Sequence, residues 1–207
     1  DARIDHLEEE LRRRRREQRE RALKALALVG LPGVPEVPGA KPYSPSAQGL
    51  IDRAFADLEP GRPAIDLHVH ALGLGQDGDG TFVHKDKFSP RHPFKRVETG
   101  LYLKATGVKD LRRFDRDYLE VLAARAGAFP GPLKVHLLAM DRATHEDGTP
   151  DPVRTEFHVP NAYVFEAAAR HPGRFVPVMS IHPARRDALQ ELEACAAKGG
   201  RLLKWLP

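Results

Sequence analysis

Apolar positions along this chain change their spacing several times, and each change marks an element. Residues 2–29 read as one long charged helix, stopped by Gly30-Leu31-Pro32-Gly33. Residues 31–46 carry Pro32, Pro35, Pro38, Pro42 and Pro45, the composition of an extended tether, and a short helix over 47–58 follows. The apolar run 64–70 predicts a strand, set between the turn-like Glu59-Pro60-Gly61-Arg62-Pro63 and a glycine-rich stretch from Gly73 to Gly80. Leu111, Phe114, Tyr118, Leu119 and Leu122 fall near helical spacing and predict a helix over 108–127. Further strands are predicted over 133–140, 174–181 and 201–206, with helices over 161–171 and 187–198 between them. Strand and helix in regular alternation imply an α/β fold with a parallel sheet.

Connection lengths add a direction. The loops after strands are long, 71–107 and 141–160, whereas those after helices are short, such as Pro172-Gly173 and Gly199-Gly200. Long loops therefore gather at the C-terminal ends of the strands, the end that carries ligands in parallel α/β folds. The sequence stops at Pro207, after the fourth strand and before any helix to cover it. A bare parallel edge strand is disfavoured, so the expectation is half a barrel completed by strands outside this chain or by self-association.

Composition narrows the class. With 41% hydrophobic and 30% charged residues, 207 residues suit one globular domain with an appendage. The organisation expected is a charged helix over 1–30, a Pro-rich linker and short helix over 31–60, and a barrel half over 61–207. No apolar run of about 18 residues exists to span a bilayer, and the charged start is unlike a signal peptide. The single cysteine, Cys195, excludes an intramolecular disulfide and fits a reducing, cytoplasmic setting. The run Arg12 to Arg16 could suggest a nucleic-acid arm, but residues 1–24 hold nine basic side chains against seven acidic ones. Glu8, Glu9 and Glu10 stand four residues before Arg12, Arg13 and Arg14, the order that forms helical ion pairs, so a solvated helix is expected and no nucleic-acid or membrane partner.

Chemistry concentrates in Asp66-Leu67-His68-Val69-His70. Two histidines two apart on a strand share a side, and imidazole is the commonest protein ligand for zinc. His182, following the third strand, could reach a substrate, and Asp141, ending the second, could bond a ligand or cap a turn. His84, His92, His145 and His158 lie in the long loops and are expected mostly to face solvent, while His136 is expected in a core or interlayer position.

The motif at 66–70, together with Asn161-Ala162-Tyr163, the turn His171-Pro172-Gly173-Arg174-Phe175, the run through His182-Pro183, and Leu203-Lys204-Trp205-Leu206-Pro207, resembles the amidohydrolase superfamily. The branch it resembles includes aminocarboxymuconate-semialdehyde decarboxylase and related metal-dependent hydrolases, and the resemblance covers residues 64–207. It implies a (β/α)8 TIM barrel, of which the first four strands are present, with His68 and His70 as metal ligands. It further implies one or two divalent ions, zinc first among them, and a small-molecule substrate hydrolysed or decarboxylated without oxidation. A histidine on strand five, often one on strand six, and an aspartate on strand eight would complete the site, all beyond Pro207, so the 207 residues alone are not expected to be a competent hydrolase. Lys204 falls near the place where some members carry a carboxylated, metal-bridging lysine, or it could bind a substrate carboxylate. Two alternatives stay open. One is a phosphoesterase of the polymerase-and-histidinol-phosphatase type, which also starts with a His-x-His strand. The other is a non-catalytic interaction module working through the charged helix.

Overall fold

The computed structural model describes residues 44–56, 61–129 and 131–205. The expected N-terminal helix and most of the proline tether lie outside them. The first described helix, α1 (Pro45–Ala56), has no buried residue. Strand β1 (Ala64–His70) follows, then a two-residue strand β2 (Phe82–Val83), helix α2 (Pro93–Thr106) and helix α3 (Phe114–Gly127). Next come β3 (Leu133–Leu138), β4 (Phe157–His158), α4 (Asn161–Arg170), β5 (Phe175–Ser180), α5 (Ala188–Ala197) and β6 (Leu202–Lys204).

Strands β1, β3, β5 and β6 form one sheet in that order, with every neighbouring pair parallel. Each neighbour in the sheet is the next long strand in the chain, reached through helices, which is the α/β alternation the sequence predicts.

The core lies on the helix-facing side of this sheet. Val135, Leu137 and Ala139 of β3 and its end, with Phe175 of β5, pack against Phe114, Leu119 and Ala123 of α3 and Tyr163, Val164 and Ala167 of α4. A smaller cluster of Met179, Ile181 and Cys195 lies under α5, where burial pushes the Cys195 thiol up to about 11 and keeps it protonated. Partners in a parallel register share a face. The opposite face therefore carries His70, Leu138, Val178 and Leu202 in one row, and Ser180 and Lys204 in the next. Ile65 and Leu67 of β1 and Leu202 of β6 are exposed.

The long connections hold more structure than their polarity predicts. Residues 71–107 contain β2 and α2, and β2 pairs antiparallel with β4 from the second long loop, Phe82 opposite His158 and Val83 opposite Phe157. The two loops thus fasten to one another over the C-terminal ends of the strands. An ion cluster reinforces the join: Lys87, buried at 5% exposure, sits 2.7 Å from Glu156 and 4.9 Å from the Phe157 ring centroid, and Lys95 lies 2.8 Å from Glu156. His158 is consequently buried, contrary to the solvent-facing loop position expected for it. The predicted helix over 108–127 begins instead with a 3-10 turn at Leu111–Arg113, where the Asp110 carboxylate accepts from the Arg112 amide.

Candidate functional site

Strand β1 carries one extra residue relative to β3. Asp66 faces Val135 and Val69 faces Leu137, so Leu67 and His68 together oppose His136. The Asp66 carboxylate accepts the His68 amide at 3.1 Å, a local partner for a backbone donor at the irregularity. The irregularity takes in Leu67 and His68, and from His68 to the end of the strand alternation is intact. Val69 packs on the helix-side core, and His68 and His70 stand on the other face. Their Nε2 atoms are 3.0 Å apart and their rings 4.9 Å centroid to centroid at 62°. As neutral rings, one Nε2–H can donate to the other; as ligands, both lone pairs converge on the same space.

The strand end is held from outside. The Tyr118 hydroxyl donates to the His70 carbonyl at 2.7 Å, and the Ala71 amide donates to the Leu138 carbonyl at 3.1 Å. Beyond it, the buried Asp115 carboxylate accepts the Leu74 amide and, at 2.5 Å, the Gln76 amide. Tyr163 donates to the Leu72 carbonyl at 3.3 Å. Gly75 takes φ +77°, and a Cβ there would stand 2.7 Å from the Thr81 carbonyl oxygen, so the turn that closes this loop requires glycine.

Electrostatics favour a neutral His70. Burial lowers its pKa below the ordinary 6.5, and the charges of Lys204 and His68 lower it further. Burial also lowers the pKa of Lys204, which shares the sheet face of the pair. Near neutral pH the His70 ring therefore keeps a lone pair for a cation.

Asp141 and His182 belong to a different set. Asp141 accepts the His182 amide at 2.7 Å, the Arg142 amide at 2.8 Å and the Arg185 guanidinium at 3.1 Å, while its own amide donates to Ser180 Oγ at 3.1 Å. That carboxylate joins the end of β3 to the loop after β5. His182 Nδ1 accepts the Ala184 amide at 3.2 Å, which leaves its Nε2 edge to other partners. Neither residue is among the charged neighbours that shift His70.

The donor chemistry of His68 and His70 fits a divalent ion as two of its ligands: imidazole nitrogens bind zinc at about 2.0–2.1 Å, and 3.0 Å between them is spanned by one ion at that distance from each. Among the described residues no group of three or more histidine, cysteine, aspartate or glutamate side chains is arranged to hold a metal. The residues missed by sequence reasoning are the outside supports, Asp115, Tyr118 and Tyr163. Their partners lie 39 to 91 residues away, and no local pattern signals them.

No family model matches the sequence, and no curated protein does. Among solved structures, an uncharacterized TIM-barrel protein from Bordetella bronchiseptica is similar at 16% identity and a TM-score of 0.41, over 70% of this chain. The chain spans 43% of the length of that structure. What fold and site define directly is an α/β protein with a four-stranded parallel sheet and a histidine pair at the end of its first strand.

Proposed function

We propose that residues 61–207 are the N-terminal half of a (β/α)8 barrel of the metal-dependent hydrolase type, and that His68 and His70 are two of its metal ligands. The observation that carries this reading is the convergence of their Nε2 atoms to 3.0 Å at the C-terminal end of β1, on the face turned away from the helices. A divalent ion held there would supply an activated water at neutral pH and polarise a carbonyl group for hydrolysis, or assist a related decarboxylation.

The chain's own residues have separable tasks in this scheme. His68 and His70 donate ring lone pairs, and burial, assisted by the charge of Lys204, lowers the pKa of His70 and so favours its unprotonated form. Tyr118 fixes the backbone from which the second ligand projects, and Asp115 holds the loop that follows it. Lys204 places an amine on the same face, where it can receive a substrate carboxylate or, once carboxylated, join the ligands. The remaining ligands and the general base come from strands beyond these four, so the activity belongs to the completed barrel.

Titration with zinc, followed by elemental analysis after desalting, tests the ligand assignment. Because two imidazoles alone hold an ion weakly, the expected result is one weak zinc site in the titration of the parent chain and none in the His68→Ala, His70→Ala double variant, with retention after desalting expected only once the barrel is completed. Equal zinc binding by both proteins would place the metal elsewhere and refute the assignment.

A further inference from the structure

Behind the end of β1, with His70 itself among the lining residues, α2, α3 and the β2–β4 pair enclose a cavity of about 510 Å³. That volume lies within the ordinary range for small-molecule sites. Its walls are Leu72, Leu103, Phe114, Leu122, Met140 and Phe157. Three hydroxyls in the wall are already committed: Thr99 Oγ1 donates to the Lys95 carbonyl at 2.8 Å, Thr106 Oγ1 to the Leu103 carbonyl at 2.5 Å, and the Tyr118 hydroxyl to the His70 carbonyl, while Tyr102 donates outward to Glu98 at 3.5 Å. The interior therefore offers carbon surface and little else. An adaptable methionine among the walls suits a flexible chain.

A cation lines the same cavity. Arg125, exposed in the last turn of α3, makes no ion pair or hydrogen bond among the described residues. Its guanidinium lies across the C-terminal cap of α2, where Gly107 takes φ +81° and a Cβ would stand 2.5 Å from Nη2. Only glycine leaves it that place. A favourable interaction with the helix dipole explains part of this position. With no protein acceptor among the described residues its donor fork stays open to solvent at the rim, and a hydrated guanidinium beside an apolar hole matches an amphipathic anion.

We infer that this cavity binds a small carboxylate with an apolar body, such as a medium-chain fatty acid, its chain between α2 and α3 and its carboxylate on Arg125. The inference does not depend on a metal at His68 and His70.

Calorimetry on the full 207-residue chain in the presence of a chelator tests it, with octanoate, octan-1-ol and acetate as probes. Octanoate is expected to bind saturably, octan-1-ol more weakly and acetate not at all. Arg125→Gln is expected to weaken octanoate about tenfold, the size of one charge-assisted hydrogen bond, and to leave octan-1-ol unchanged. Ala105→Trp, which places an indole at an exposed lining position, is expected to abolish binding of both chain-bearing probes. Absence of saturable octanoate binding to the parent chain overturns the inference, as does undiminished octanoate binding in either variant.

Discussion

Tyr118 links the core to the proposed metal strand, and Tyr118→Phe isolates that link. The ring stays: it stacks on Phe114 at 5.4 Å with 8° between planes and keeps its burial against the helix-side core. Only the hydroxyl that donates to the His70 carbonyl at 2.7 Å is lost. Burial pushes this phenol up to about 12, so it remains a donor through neutral and mildly alkaline pH. A neutral hydrogen bond contributes about 1 kcal/mol net, and an acceptor left partly unpaired in a desolvated place raises the loss to about 2 kcal/mol. For a chain of this size a loss of about 2 kcal/mol is a fall of about 4–8 °C in the melting midpoint.

The companion variant supplies the scale. Tyr163 makes longer bonds, 3.3 Å to the Leu72 carbonyl and 3.4 Å to the Asp115 carbonyl, so Tyr163→Phe is expected to cost less. Thermal and urea unfolding of both variants, read by circular dichroism, gives the comparison. The zinc affinity of Tyr118→Phe is expected to fall severalfold, because the carbonyl it releases belongs to the second ligand. A Tyr118→Phe protein within about 0.3 kcal/mol of the parent, or less perturbed than Tyr163→Phe, would refute the view that these hydroxyls hold the strand end.

Acid should destabilise the chain. His70 and His158 both have pKa values lowered chiefly by burial, so the unfolded chain takes up protons first as pH falls below 6.5; stability is complete above that point and lost down to their depressed folded values. Urea midpoints measured from pH 8 to 5 check this, and a midpoint that rises on acidification contradicts it. Lys87→Met removes a buried cation from Glu156 and the Phe157 ring; because Glu156 stays about half exposed and keeps Lys95, the expected cost is about 1 kcal/mol, through loosening of the join between the two long loops. Faster proteolysis within 141–160 than in the parent is the matching readout.

How far the sequence carried depended on where each residue's partners lie. The strands were legible because their apolar runs are bounded by glycine and proline, and the shared face of His68 and His70 followed from alternation that the irregularity at Leu67 leaves intact. Helix α2 was not legible. Its buried positions are Thr99, Leu103 and Thr106, while Phe94, Leu101 and Tyr102 are exposed, so the polarity pattern is nearly inverted. Strands β2 and β4 are two residues each, too short for any period to register. For Asp141 the choice between bonding a ligand and capping a turn stayed open in the sequence because its partners His182 and Arg185 are 41 and 44 residues away.

The support of β1 is one-sided, and this bears on how a ligand pair can be held there. On its far face the strand is open, with Ile65 56% and Leu67 66% exposed, so packing on that side cannot fix the histidine rings. Order must come from the ladder with β3 and from the helix layer behind. The layer supplies it through backbone bonds, Tyr118 to His70, Tyr163 to Leu72 and Asp115 to Leu74 and Gln76, and among the described residues each imidazole has only the other as a hydrogen-bond partner. A ligand strand secured through its main chain keeps its side-chain nitrogens available. Support through the rings themselves would have consumed the lone pairs that a cation needs.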